Sequence, residues 1–120
     1  MKPPPFTYTI PSTVDEAVAL LVEHGDAAKL LAGGQSLVPL MNFRLARPEH
    51  VIDLNRVEGL DYITERDDVL AVGAMTRQRS LERSDVVRRQ YPLLAEAATV
   101  IGHPATRNRG TVGGSIAHAD

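Results

Sequence analysis

The 120-residue sequence predicts a mixed α/β protein, an N-terminal parallel βαβ subdomain followed by the beginning of a second, mixed α/β subdomain. Three observations carry this reading. Short β-rich runs at residues 6–10, 29–32 and 51–54 are separated by helical periodicity. The last two of these runs are joined by a Gly-rich loop and a short helix, long enough for a parallel crossover. After Gly59 the pattern changes to a hairpin and then to successive short helices, so the expected boundary divides residues 1–58 from 59–120.

Pro3, Pro4 and Pro5 form an extended lead-in, because proline fixes φ and lacks the N–H a helix interior requires. Residues 6–10 alternate β-branched or aromatic with polar side chains and read as a strand. Thr13 followed by Glu16 fits a capping box, and Val14, Ala17, Val18 and Leu21 recur at helical spacing. Gly25 stands where a left-handed C-terminal cap is expected. Residues 29–32 form a second strand that ends at Gly33-Gly34. Ser36 then caps a brief helix over residues 38–43, with Pro39 tolerated in its first turn. Residues 51–54 make a third strand. Residues 60–65 and 69–72 alternate around Arg66-Asp67-Asp68, an antiparallel hairpin. Helices follow near Leu81, over residues 85–90 and over 93–101. In the last, Leu94, Ala97, Ala98 and Ile101 form the apolar stripe and Gly102 is the stop.

Composition narrows the function. Thirteen Lys and Arg against fifteen Asp and Glu leave a net charge of −2, with no global attraction to polyanions. Two Phe, three Tyr and no Trp supply few stacking platforms for single-stranded nucleic acid. No nucleic-acid partner is expected. The absence of Cys excludes disulfides, thiolate nucleophiles and an iron–sulfur cluster held by this chain's own cysteines. There is no signal-peptide core and no apolar run near the roughly 20 residues of a membrane span. A cytoplasmic, soluble protein is the simplest reading.

Four of the nine glycines lie in two similar segments, Ala32-Gly33-Gly34-Gln35-Ser36 and Thr111-Val112-Gly113-Gly114-Ser115. Paired glycines let a ligand approach the main chain closely, and successive N–H groups in such a turn converge into an anion-binding nest. Ser36 and Ser115 add hydroxyl donors. Either segment alone reads equally well as a plain turn. Together they favour a phosphate-binding site that uses backbone amides, since neither contains a Lys or Arg. Neither G-x-G-x-x-G nor G-x-x-x-x-G-K-[ST] occurs, so the site is neither an ordinary Rossmann fingerprint nor a P-loop. Physics alone reaches a two-loop phosphate binder.

At these residues the sequence resembles a known family. Ala32-Gly33-Gly34-Gln35-Ser36-Leu37-Val38-Pro39 and the segment from Arg107 to Asp120 are similar to the two FAD motifs of the medium, flavin-carrying subunits of molybdenum hydroxylases, the carbon monoxide dehydrogenase and xanthine dehydrogenase group. Residues 48–55, 73–76 and 92–97 match the same pattern. The resemblance implies an FAD-binding fold of the vanillyl-alcohol-oxidase type, with FAD lying between its two subdomains. It implies that Ala32, Gly33, Gly34, Gln35, Ser36 and Leu37 wrap the pyrophosphate on one side. Thr111, Gly113, Gly114 and Ser115 hold it on the other, Asp120 is close to the cofactor, and Ile101 and Gly102 border the isoalloxazine ring. No residue is implied as a catalytic acid or base, and none as a metal ligand. The implied partners are an iron–sulfur small subunit, which delivers electrons to FAD, and a molybdopterin large subunit, where substrate is oxidised. Family members run well beyond Asp120, so the second subdomain is expected to be incomplete and this polypeptide alone to bind FAD weakly or not at all.

Other residues carry competing readings. The alternative for the whole chain is a non-catalytic α/β module that binds a nucleotide or a protein, or an inactive fragment. His103, His118 and Asp120 are read as polar loop residues rather than metal ligands. Arg107 and Arg109 are read as loop braces bonded to backbone carbonyls, ahead of a phosphate patch. Arg77, Arg79, Arg83, Arg88 and Arg89 read as a solvated helix face, with docking of the iron–sulfur subunit as the other option. Met41 and Met75 are expected in the core.

Overall fold

A computed structural model describes all 120 residues. The chain divides into two compact units, Met1–Glu58 and Gly59–Asp120.

The first unit is a three-stranded parallel sheet in the order β1-β3-β2, where β1 is Thr7–Thr9, β2 is Ala28–Leu31 and β3 is His50–Asp53. The central strand is the most buried, with Val51, Ile52 and Asp53 all inside, as pairing on both edges favours. Val51 and Ile52 are buried, and Ile52 at 0% exposure contributes roughly 1.5–3 kcal/mol of burial. Between β1 and β2 runs α1, Val14–His24. Thr13 Oγ1 accepts from the Glu16 N–H at 3.1 Å, while the Glu16 carboxylate reaches back to the Ser12 N–H at 2.8 Å. The reciprocal cap therefore closes one residue further out than the standard box. The end of α1 differs from the sequence expectation. Gly25 has φ 52° and ψ −132°, outside the left-handed helical region, and it opens a 3-10 turn, Gly25–Ala27, that leads directly into β2. Glycine is needed for that turn, but not for a left-handed cap.

After β2 the chain turns through Gly33 and Gly34 into α2, Leu37–Asn42. Ser36 occupies the N-cap position but makes no side-chain capping bond, which corrects the role expected for it. Its backbone is already near-helical (φ −108°, ψ −47°), whereas side-chain capping needs an extended residue. Met41 is buried beneath this turn.

The second unit opens with a hairpin, β4 (Ile63–Arg66) paired antiparallel with β5 (Val69–Val72). Its turn is Asp67-Asp68 alone, with φ 52° and 61°, because a two-residue hairpin loop needs positive φ at both positions. Arg66 pairs with Val69 and belongs to the strand. Five helices follow: α3 (Gln78–Arg83), α4 (Asp85–Gln90), α5 (Pro92–Thr99), α6 (Pro104–Arg109) and α7 (Val112–His118). Leu81, Val87, Ala95 and Ala98 make the core, with Ile63, Leu70, Val72, Tyr91 and Val112 packed against it. Met75 is buried as well. The stripe of α5 is thus Ala95 and Ala98, while Leu94 and Ala97 are exposed. The helix also stops at Thr99, before Gly102. Val100 and Ile101 donate to the carbonyls of Ala97 and Ala98 in tightened turns, and Gly102 follows at φ 51°.

The largest departure concerns the second glycine pair, which is part of a helix. Thr111 is the N-cap of α7, and Gly113 and Gly114 lie in its first turn. Residues 76–78 and 110–112 pair across the unit: Val112 N–H donates to Thr76 O at 2.9 Å and Gln78 N–H to Gly110 O at 2.9 Å. None of the helices is long and apolar enough to cross a membrane.

Candidate functional site

In the first unit the expected site residues are contiguous. The strand β2 delivers Ala32 to the turn, Gly34 takes φ 77°, and α2 begins at Leu37. A Cβ on Gly34 would lie 3.2 Å from the Val38 side chain and 3.3 Å from that of Leu31, so the turn closes tightly over its own hydrophobic floor. None of the N–H groups of residues 33–37 donates to another group of the chain; the turn's first internal bonds are Val38 N–H to Gly34 O and Leu40 N–H to Ser36 O. Gly33 is itself buried, and orphaned amides in buried residues are rare unless a ligand or water satisfies them. Five consecutive donors with no basic side chain suit a polyanion held by main-chain amides.

This turn is braced from below by residues whose role the sequence did not disclose. Asn55 Nδ2 donates to Ala32 O at 2.9 Å, and the Asn55 N–H donates to Asp53 Oδ1 at 2.8 Å. The Tyr8 hydroxyl donates to the other oxygen, Asp53 Oδ2. That bond, then burial, raises the Tyr8 pKa above its usual 10.0. Gln35 Nε2 folds back onto Gly33 O at 3.3 Å. A signal was present in the run Asp53-Leu54-Asn55, since an Asp that bonds the residue two positions on is a familiar turn device. Its link back to Ala32, 23 residues earlier, had none.

The second group of expected residues is arranged differently. All four amides of residues 112–115 are satisfied internally: Val112 on Thr76 O, Gly113 on Ala74 O at 2.8 Å, Gly114 on Thr111 Oγ1 at 3.0 Å and Ser115 on Thr111 O at 3.1 Å. The open amide nest expected there is therefore not formed. Gly113 has a packing reason instead. A Cβ at that position would stand 2.7 Å from both Cβ and O of Ala74. The polar groups left in this segment are hydroxyls. Ser115 is exposed and its Oγ accepts from Gln78 Nε2, while Thr111 is buried.

Ile101 and Gly102 are held by Arg107. Arg107 is 8% exposed; its Nε donates to Glu82 Oε2 at 3.1 Å, and its Nη1 reaches Ile101 O at 3.2 Å and Gly102 O at 3.1 Å. Arg107 is thus a brace, as its position in the sequence suggested. Arg109 is braced in turn, its carbonyl accepting from Arg77 Nη1 at 2.8 Å. Asp120 is exposed, 3.8 Å from His118 Nε2.

Comparison with known proteins decides the family. Residues 4–120 match the family described as FAD binding domain in molybdopterin dehydrogenase. The chain belongs to that family. Its FAD-binding domains are flavoprotein modules, and this one shares 52% identity over its full length with the 6-hydroxypseudooxynicotine dehydrogenase complex subunit alpha of Paenarthrobacter nicotinovorans, covering 40% of that protein. It shares 53% identity over 98% of its length with the carbon monoxide dehydrogenase medium chain of Hydrogenophaga pseudoflava, covering 41% of it. The solved carbon monoxide dehydrogenase of H. pseudoflava superposes on the whole chain with a TM-score of 0.97, over 42% of its own chain. Quinoline 2-oxidoreductase of Pseudomonas putida superposes at 0.95 with 40% identity. The mixed α/β fold is that of these flavin subunits. The chain spans about two fifths of the length of the relatives it matches.

Proposed function

We propose that the amide turn at residues 32–37 grips the diphosphate of FAD, and that the chain serves as the flavin-binding part of a molybdenum-containing dehydrogenase. The observation that carries this reading is the run of five unclaimed N–H groups at residues 33–37, set on a turn pinned by Asn55. A charge-assisted hydrogen bond contributes about 1.5–3 kcal/mol, so a few suffice to hold a diphosphate without a cation. Ser115 supplies its hydroxyl to the same cofactor, and the buried Thr111 serves it by capping the helix that carries Ser115. Gly113 serves it indirectly, by letting α7 seat against Ala74, and Gly114 through its N–H bond to the Thr111 cap. Ile101 and Gly102, fixed through Arg107, border the flavin ring, and Asp120 stands near the cofactor. Units Met1–Glu58 and Gly59–Asp120 act as the two FAD-binding subdomains.

Bound FAD supplies the electron-accepting centre; the residues orient it and tune its electronics through hydrogen bonds. Electrons reach it from an iron–sulfur partner subunit, after substrate oxidation on a molybdopterin subunit, and leave to an acceptor. The relatives' names as dehydrogenase subunits support this assignment.

The test is flavin retention by the full chain carrying Gly34→Val. A β-branched residue at φ 77° re-aims the turn. Loss of the absorbance near 450 nm with unchanged circular dichroism is expected. Undiminished flavin content in the folded variant contradicts the proposed grip.

A further inference from the structure

We infer that Gln78 is a positioning residue for the cofactor: its Nε2 donates to Ser115 Oγ and so fixes the Ser115 hydroxyl as an outward donor to an anionic oxygen of FAD. This rests on the reading above that Ser115 meets the cofactor. Gln78 is the first residue of α3 and is 4% exposed. Its backbone is locked by the bond from its N–H to Gly110 O, within the paired segments that also carry Thr111.

The side-chain amide is only half satisfied. Nε2 has its partner, but Oε1 is buried with none. It lies against Gly110, where a Cβ would stand 2.7 Å from it. A buried, unpaired polar atom is destabilising, and each one in a native structure calls for an explanation. Leu or Met would fill the same space without an orphan, so stability alone does not account for an amide here. What the amide adds is the donor to Ser115. The orientation follows from the same argument, because the reversed amide would strand an NH₂ group against Gly110, and buried orphan donors are rarer than orphan carbonyls.

A serine hydroxyl has one hydrogen and two lone pairs. With one lone pair occupied by Gln78, Oγ is held in place and its O–H is polarised into a better donor. A diphosphate offers acceptors only, so this is the complementary state. Ser115 is exposed, which leaves the hydrogen free to point at a ligand.

The inference is tested by a double-mutant cycle in the full natural chain, with FAD affinity read from quenching of flavin fluorescence in wild type, S115A, Q78L and Q78L/S115A. Each single change is expected to weaken FAD about tenfold, as loss of one hydrogen bond to a charged group does. The double variant is expected to be no weaker than S115A, because Gln78 acts through Ser115. Without FAD, Q78L is expected to unfold at or above the wild-type temperature, since the orphan acceptor is gone; a purely structural glutamine would give the opposite. If Q78L fails to fold, Gln78→Met takes its place in the same cycle. An equal loss of affinity on adding Q78L to wild type and to S115A overturns the inference, as does unchanged affinity in Q78L where S115A is weakened. Unchanged affinity in S115A alone removes the role given to Ser115, and this inference with it.

Discussion

Tyr8, Asp53 and Asn55 carry a line of hydrogen bonds from β1 across β3 to the carbonyl of Ala32, where the amide turn begins. The buried Asp53 carboxylate is the hub, and its two oxygens face different partners, so the network sets the height of the turn above the sheet. The Tyr8 phenol has its pKa raised, chiefly by the bond to Asp53 and then by burial. A folded-state pKa above the unfolded 10.0 means that the bond contributes fully below about pH 10 and is lost as pH rises through the folded value. Tyr8→Phe is therefore expected to lower stability by about 1 kcal/mol at pH 8, the lower end for a bond to a charged group because Tyr8 is half exposed. The gap should close above pH 10. Urea midpoints of both proteins at pH 8 and pH 11 check this, and a gap that persists or widens at pH 11 contradicts it. At this scale the reading of a loop brace holds for Arg107, whereas at Arg109 it is the main-chain carbonyl that is held, by Arg77. The sequence could not announce Asn55 or Gln78, whose partners lie 23 and 37 residues away and leave no local periodicity.

Among the elements, α7 shows where local reading fails and why. Two consecutive glycines disfavour a helix by roughly 1 kcal/mol each relative to alanine, so residues 111–115 read as a loop. Tertiary packing overrides that preference. Thr111 caps the helix, and Gly113 is small enough for its N–H to reach Ala74 O. The helix α6 was missed for a related reason, being six residues with Pro104 at its start and no apolar stripe. The strands, α1 and the hairpin were legible because their patterns of two and 3.6 residues are local and their caps are chemical. Gly113→Ala is expected to cost about 1–3 kcal/mol, because its Cβ meets a backbone oxygen that cannot move aside. Thermal unfolding of the full chain measures it; wild-type stability in this variant would refute the packing role given to Gly113.

For the molecule as a whole, the chain divides into two compact units, Met1–Glu58 and Gly59–Asp120, and the residues proposed to meet the cofactor are shared between them. If the diphosphate is the part of FAD that the chain grips, ligands lacking it should bind far less well. Riboflavin and FMN are expected to raise the unfolding temperature of flavin-free protein much less than FAD at equal concentration, following linkage between binding and folding. Equal shifts for riboflavin and FAD would place the affinity in the ring rather than the phosphates. Amide hydrogen exchange, resolved by residue without FAD and at FAD concentrations where the flavin spectrum shows it bound, reaches the central claim most directly. The N–H groups of residues 33–37, which donate to nothing in the chain, should exchange quickly in flavin-free protein and slow markedly once FAD is bound; those of residues 112–115, already bonded, should be slow in both. If residues 33–37 exchange at the same rate in both states, the amide turn does not hold the cofactor.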